Sequence, residues 1–280
     1  MREISVTKIR DAVSELCLKA NFELRKDMLS ALRSALKNET DGRARAILKT
    51  ILENAKIAKA KKLAICQDTG MVYVHIDVGQ DARLVGGSLR KAVNEGVREA
   101  YAKGYLRKSV VADPFLRENT KTNEPAILST DIVDGDKVKI EISPKGFGSE
   151  NKSRIMMFKP TAPVEDVKAF VLDVVRQAGP DACPPLVLGI GIGGTFETAA
   201  TLAKRALLRP IDVRNTKKHI AKLEKELLKE INSLGIGPMG LGGKVTALGV
   251  NIIEHPVHIA GLSVAVNVSC HATRSAARTI

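Results

Sequence analysis

The chain of 280 residues contains four cysteines, Cys17, Cys66, Cys183 and Cys270, and these are its residues best suited to metal or thiol chemistry. Three of them share a setting. Cys66 ends the apolar run Leu63-Ala64-Ile65 and precedes Gln67-Asp68-Thr69-Gly70. Cys183 lies in Asp181-Ala182-Cys183-Pro184-Pro185, just before the apolar run 186–192, and Cys270 follows the run 262–268 and precedes His271-Ala272-Thr273-Arg274. Each occupies a polar or proline-bearing turn at the mouth of an expected strand, where rigid elements can hold ligands that converge. Cys17 differs, because Val13, Leu16 and Ala20 share its helical face and a cysteine there serves as a small buried hydrophobe. The short C-x₂₋₄-C pairs of zinc ribbons and fingers are absent, and three cysteines do not close a structural zinc site without a fourth ligand. Three thiolates do suit a cubane four-iron cluster with one iron left open as a Lewis acid. By spacing alone, three scattered cysteines are more often simply buried thiols.

The elements that must position these thiols can be read from periodicity. The first sixty residues read as helices, with Ile9, Val13, Leu16 and Cys17 on one face, then Leu29, Leu32 and Leu36, then Ile47, Leu48, Ile51 and Leu52. Asp41-Gly42 separates the second helix from the third. Residues 71–78 alternate as a strand does, with Val72, Val74, Ile76 and Val78 on one side. Ser88 caps a helix ending near Gly104. Residues 126–133 and 137–143 flank Asp134-Gly135-Asp136 and read as a β-hairpin. A polar glycine loop, 145–154, precedes a helix opened by Pro163. Residues 186–192 read as a buried strand, 195–208 and 216–234 as helices, 235–244 as a second glycine loop, and 245–253 and 262–268 as strands. The expected class is α+β, an N-terminal helical segment (1–62) packed on a mixed sheet-containing body (63–280), all within one domain of residues 1–280.

Composition limits the function classes. No signal-peptide h-region opens the chain, and no apolar run approaches a membrane span. A cytoplasmic location follows, where the cysteines stay thiols. The formal net charge is +13. The lysines interleave with Leu, Ile and Ala at helical spacing, as on solvated helix faces, and no aromatics lie among them to stack on bases. Neither nucleic acid nor membrane is an expected partner.

Two readings of other classes compete. Gly189-Ile190-Gly191-Ile192-Gly193-Gly194 fits G-x-G-x-x-G between a strand and a helix, with Asp212 further on, the outline of a dinucleotide-binding module. Against it, no regular βαβαβ pattern surrounds the motif. The third reading is a basic interaction protein whose cysteines bind zinc. Among single residues, His75 reads as a solvent-face or satisfied histidine and His219 as exposed. His271 can support the third cysteine, and Arg274 can pair with either a substrate carboxylate or a backbone carbonyl.

The words CQDTG (66–70), DGD (134–136), KGFGSENK (145–152), ACPP (182–185), IGGT (192–195), LEKELLKE (223–230), MGLGGK (239–244) and VSCHATR (268–274) occur in an order that closely resembles the class I, iron–sulfur-dependent fumarate hydratases and the L-tartrate dehydratases of the same family. The resemblance covers essentially the whole chain. It implies a hydro-lyase that interconverts fumarate and (S)-malate, a step of the tricarboxylic acid cycle, or one that dehydrates L(+)-tartrate. It implies a [4Fe-4S] cluster on Cys66, Cys183 and Cys270, and a small dicarboxylate substrate. Asp68 would be catalytic, handling the proton of the departing or arriving hydroxyl. Gln67, Arg107, Gly148 and His258 would meet the substrate, Arg107 as a guanidinium fork on a carboxylate and Gly148 through its backbone amide. The family usually has Gly where Phe147 stands here. Single-chain members continue into a second domain that carries the catalytic base. This chain therefore resembles the α subunit of a two-subunit form, completed by a β subunit in a dimer of heterodimers and inactive without it.

Overall fold

Ser5 starts the first helix by accepting a hydrogen bond from the Thr7 N–H, and the apolar spacing of Ile9, Val13 and Leu16 then turns one face inward. The computed structural model describes residues 2–280. In chain order the elements are β1 (Arg2–Ser5), α1 (Val6–Phe22), α2 (Lys26–Asn38), α3 (Gly42–Lys61), β2 (Met71–Gly79), β3 (Ala82–Val85), α4 (Leu89–Lys103), β4 (Ile127–Val133) and β5 (Val138–Lys145). The one-turn α5 (Phe147–Glu150), β6 (Arg154–Phe158), α6 (Val164–Ala178), β7 (Leu186–Ile192), α7 (Phe196–Ala206), α8 (Lys218–Asn232), β8 (Ala247–Glu254), β9 (Leu262–Ser269) and β10 (Ala276–Thr279) follow. Helices and mixed sheets recur along the chain, as expected of the α+β class. The opening residues, expected to be helical, form β1 instead, which pairs in parallel with β3 and buries Ile4. No helix among the described residues is long and apolar enough to cross a membrane.

The chain divides into two compact units. The first takes the residues up to Arg25, Asn54–Phe147 and Arg274–Ile280; the second takes Lys26–Glu53 and Gly148–Thr273. In the first, a four-stranded sheet runs β10-β5-β2-β4. Its inner face, with Val72, Val74, Ile76, Ile140 and Ile142, packs on Val13, Leu16 and Cys17 of α1 and on Val93, Val97 and Tyr101 of α4. The hairpin expected across Asp134-Gly135-Asp136 does not form. β2 lies between the two strands, parallel to β4 and antiparallel to β5. The turn instead wraps the end of β2: Gly79 N–H donates to Lys137 O, Gln80 N–H to Val133 O and Asp81 N–H to Gly135 O. A Cβ on Gly79 would lie 2.5 Å from Gly135 O, so glycine there is what admits β2 between the two strands. On the opposite face His75 is fully buried and satisfied, its Nε2 2.9 Å from Asp77 Oδ1 and its Nδ1 3.3 Å from Ser129 Oγ.

The second unit holds a sheet of order β6-β9-β7-β8. Val171 and Val174 of α6 and Leu227 and Ile231 of α8 pack with Leu188, Ile190, Val266 and Val268 of the sheet. α7 covers β7 from the other side. Its backbone comes so close that a Cβ on Gly189 would lie 2.1 Å from Ala203 O, and one on Gly191 2.0 Å from Ala199 O. These glycines therefore serve helix–strand packing inside β7. A dinucleotide fingerprint needs them in the turn after the strand, within a parallel doubly wound sheet. Here β7 has antiparallel β9 as one neighbour, and Asp212 is exposed outside any strand. α2 belongs to this unit and sets Met28 against Val187 and Leu207.

Gly191→Val should lower unfolding stability by about 3 kcal/mol through overpacking. Gly42→Ala, where a Cβ meets nothing within 4 Å, should be neutral or better. Urea midpoints of the two variants check this.

Candidate active site

Val187 of β7 pairs with Ser269 of β9 in antiparallel register, so β7 starts where β9 ends. Cys183 precedes β7 and Cys270 follows β9, which puts both at the same edge of the sheet. Cys183 adopts the left-handed conformation (φ 52°, ψ 63°), and its N–H donates to Pro180 O at 2.9 Å, closing a turn of 3₁₀ helix, Gly179–Ala182. His271 joins the two cysteine turns: its N–H and its Nδ1 reach Cys183 O at 3.3 and 3.0 Å. A carbonyl can only accept, so Nδ1 carries a proton and donates. Thr273 donates to Cys270 O from both its N–H (2.9 Å) and its hydroxyl (2.7 Å). The Cys183 side is exposed and Cys270 half-buried.

The Gly148 loop is fastened at the same edge. Asn267 of β9 donates to Glu150 Oε2 and to Ser153 Oγ, each at 2.8 Å, and Lys152 Nζ lies 2.8 Å from Asp181 Oδ2, two residues before Cys183. Lys204 of α7 also pairs with Glu150. Gly148 is exposed, and the nearest atom to a Cβ there would be Asp181 O at 3.7 Å. Packing therefore does not require a glycine at 148.

Glu39 was not singled out by sequence, yet it supports the Cys183 turn through the second glycine loop. It is 2% exposed and accepts three backbone N–H groups, from Thr40 (2.8 Å), Asp41 (3.0 Å) and Lys244 (2.7 Å). In that loop Met239 N–H donates to Pro184 O at 2.8 Å, and a Cβ on Gly240 would strike Pro180. Burial pushes the Glu39 carboxyl pKa up, but the Asp41, Lys244 and Thr40 amides and the Lys244 charge outweigh it, leaving the pKa below its ordinary value.

In the first unit Asp68 organises the residues that follow Cys66. Its Oδ1 accepts from Gly70 N–H (2.9 Å) and its Oδ2 from Phe147 N–H (2.8 Å). Gly146 leaves room for that carboxylate, since a Cβ there would lie 3.0 Å from Oδ2. Arg274 is buried, and its Nη2 donates to the Asp68 carbonyl at 2.5 Å, which settles its pairing in favour of a backbone carbonyl. Thr69 hydroxyl donates to Arg107 O at 2.6 Å. Tyr101 hydroxyl lies 2.6 Å from Thr69 O, and Asn123 Nδ2 donates to Gly70 O at 3.2 Å. Cys66, Gln67, Asp68 and Arg107 are thereby drawn together, with the Gln67 and Arg107 side chains exposed and the Cys66 thiol 3.4 Å from Gln67 Oε1.

His258 stands apart. It lies on the exposed turn before β9, where its Nδ1 accepts from Ala260 N–H at 3.1 Å. Cys270 lies past the other end of that eight-residue strand, about 26 Å away at 3.3 Å per residue. The structure does not bring the two together. Cys17 is fully buried on the apolar face of α1, and burial pushes its thiol pKa up, which disfavours the thiolate that metals require. Among the described residues, His75, Asp77 and Asp131 also bring potential ligand atoms within 4.8 Å of one another.

Each unit by itself carries exposed or half-buried turns with groups suited to a small anionic ligand or a metal, the Cys66 thiol and the Arg107 guanidinium in the first and the Cys183 and Cys270 thiols in the second. The family model described as fumarate hydratase (Fumerase) matches residues 10–279. A Methanocaldococcus jannaschii protein, whose name is given provisionally as L(+)-tartrate dehydratase subunit alpha, is 44% identical over 98% of each chain. The L(+)-tartrate dehydratase subunit alpha of Escherichia coli K12 is 31% identical over 98% of this chain and 91% of its own. The Shigella sonnei protein of the same name shows the same identity and coverage. The chain belongs to the fumarate hydratase family and is a hydro-lyase.

Glu39→Gln should cost about 1–3 kcal/mol at neutral pH. A depressed carboxyl pKa contributes stability above its ordinary value of 4.5, lost as pH falls through the lower folded value. The gap between Glu39→Gln and the parent protein should therefore narrow below about pH 4. Urea titrations at stepped pH measure it.

Proposed function

We propose that this chain is the α subunit of an iron–sulfur hydro-lyase that interconverts fumarate and (S)-malate in the cytoplasm, as in the tricarboxylic acid cycle, with a β subunit completing the site. The observation that carries the reading is the contrast among the cysteines. Cys66, Cys183 and Cys270 are thiols at or near the surface in hydrogen-bonded turns, whereas Cys17 is sealed in the core. Soft donors on rigid, reachable turns fit an iron–sulfur cluster, and we assign those three thiols as its ligands, within one functional domain of residues 1–280. When bound, a [4Fe-4S] cluster with three protein ligands supplies one open iron as a Lewis acid toward substrate oxygen.

The chain's own residues do the rest. Arg107 binds the substrate carboxylate remote from the cluster as a two-toothed cation. Gln67 donates to a nearer carboxylate oxygen, and the exposed amide of Gly148 adds a backbone donor. Asp68, with one backbone amide on each carboxylate oxygen, is held in one orientation and keeps a lone pair on each for the proton of the substrate hydroxyl. His271 Nδ1 holds the Cys183 turn against Cys270. His258 is assigned to substrate binding on family resemblance alone. The base that removes the C–H proton must attack from the side opposite Asp68, and we place it on the β subunit.

L(+)-tartrate is the second reading, favoured by the names of the relatives. Tartrate carries one hydroxyl more than malate, and a site that hydrogen-bonds it rejects the analogue lacking it.

Anaerobic reconstitution should load about four irons and four sulfides per chain. Cys66→Ala, Cys183→Ala and Cys270→Ala should each lose the cluster's visible absorption, while Cys17→Ala keeps it. Equal loss in all four variants would refute the assignment. Loaded protein combined with the β subunit should hydrate fumarate at least 100-fold faster than it dehydrates L(+)-tartrate; the reverse ratio selects the second reading.

A further inference from the structure

Away from the cysteine turns, β2 and β4 of the first unit bring one imidazole and two carboxylates together. Parallel pairing sets His75 beside Ser129 and Asp77 beside Asp131, and the strand period of two puts all four side chains on one face of the sheet. His75 Nε2 lies 2.9 Å from Asp77 Oδ1 and 3.8 Å from Asp131 Oδ2, and the three ligand atoms all fall within 4.8 Å of one another. His75 Nδ1 meets Ser129 Oγ at 3.3 Å. The imidazole is fully buried, Asp77 is mostly buried, and Asp131 is half-exposed, so solvent reaches the group on the Asp131 side. Two carboxylates in register on neighbouring strands repel, and the arrangement is costly unless positive charge lies between them. Lys139 of β5, in register with Asp77 on its other side, is turned to Glu141, 2.8 Å from its Nζ. A neutral His75 with its proton on Nε2 can bond one carboxylate at a time. A divalent cation on the Nε2 lone pair binds both carboxylates at once and cancels both charges.

We propose that His75, Asp77 and Asp131 form a binding site for one divalent transition-metal ion, with water completing its coordination. Donors bound about 2.0–2.2 Å from one ion stand roughly 3.0–3.5 Å apart, so a small movement of the half-exposed Asp131 closes the present spacing. With the ion on Nε2, the ring keeps its proton on Nδ1 and donates it to Ser129 Oγ, the kind of outer bond that orients a metal-binding histidine. One imidazole and two carboxylates are borderline and hard donors, a set unlike the soft thiolates of the cysteine turns. Asp77 lies six residues beyond Met71, about 20 Å along β2 from the end that carries the Asp68 turn, so the ion serves the fold and not the substrate. β4 is the edge strand of its sheet, and the ion cross-links it to β2. The site is independent of the hydro-lyase reading.

The test is an anaerobic titration of the full, cluster-loaded chain with manganese(II), which favours oxygen and imidazole donors over thiolates. Loss of the free-ion electron paramagnetic resonance signal counts the bound ion. The parent chain should take up about one manganese with a dissociation constant below about 100 µM. His75→Gln should weaken binding about 100-fold and Asp131→Asn at least about 10-fold, each with the cluster's visible absorption unchanged. Asp131 is half-exposed, so its variant keeps the test valid even where loss of the buried His75 disturbs folding. Saturating manganese should raise the parent's melting temperature by about 5 °C and that of Asp131→Asn by less than half as much. Binding weaker than about 100 µM in the parent leaves His75 to a proton and overturns the site. Binding that Asp131→Asn and His75→Gln both retain at parental affinity puts the ion elsewhere and overturns it equally.

Discussion

Val187 opposite Ser269 is a single pair in an antiparallel ladder, yet the second unit's chemistry depends on it. Because β7 runs away from that edge and β9 runs toward it, the residues just before one strand and just after the other share an address. Cys183 and Cys270 are those residues. A parallel pairing of the same strands would have sent them to opposite ends, as happens to His258 and Cys270 along β9 itself. The bare glycines of β7 serve the same register, since they let α7 settle on the strand and hold it between two neighbours.

Within each unit, buried and half-buried polar side chains bond mainly to backbone. Asp68 and Glu39 gather amides, Asn123 bonds one amide and one carbonyl, and Arg274 and His271 donate to carbonyls. Turns that lack ladder partners would otherwise bury unmet donors and acceptors. Each such side chain replaces missing secondary structure with one or more directed bonds, and the result is a set of irregular turns as fixed as strands. That rigidity is what a functional site on loops needs, because a misplacement of even an ångström degrades chemistry.

How much of this was legible follows from the range of each interaction. Periodicity located the main helices and strands, and the apolar face holding Cys17 separated it from the other cysteines, because both signals are local. The supposed hairpin failed because its turn does look like one; nothing within residues 126–143 reveals that β2, some fifty residues earlier in the chain, takes the place between the strands. The Gly189–Gly194 run misled for a related reason: a glycine needed for helix packing and one needed for a phosphate are the same letter. Glu39 and Asn123 were missed since a lone polar residue carries no mark of the distant amides it will meet. Arg274 stood beside the third cysteine and drew notice, but only the structure could choose between its two partners.

The first unit is assembled from three stretches of chain, and its outer strand β10 comes from residues 276–279 while its first helix comes from residues 6–22. That interleaving has a consequence for biosynthesis. A ribosome releases α1, α4 and three strands of the sheet long before β10 and Arg274 exist, so the nascent unit waits with the β5 edge unpaired and the Asp68 turn without its guanidinium. Contacts that span the whole sequence close slowly, and an exposed strand edge invites wrong pairing in the meantime. The wait ends only when β10 has emerged, after all of β6 to β9 has been made.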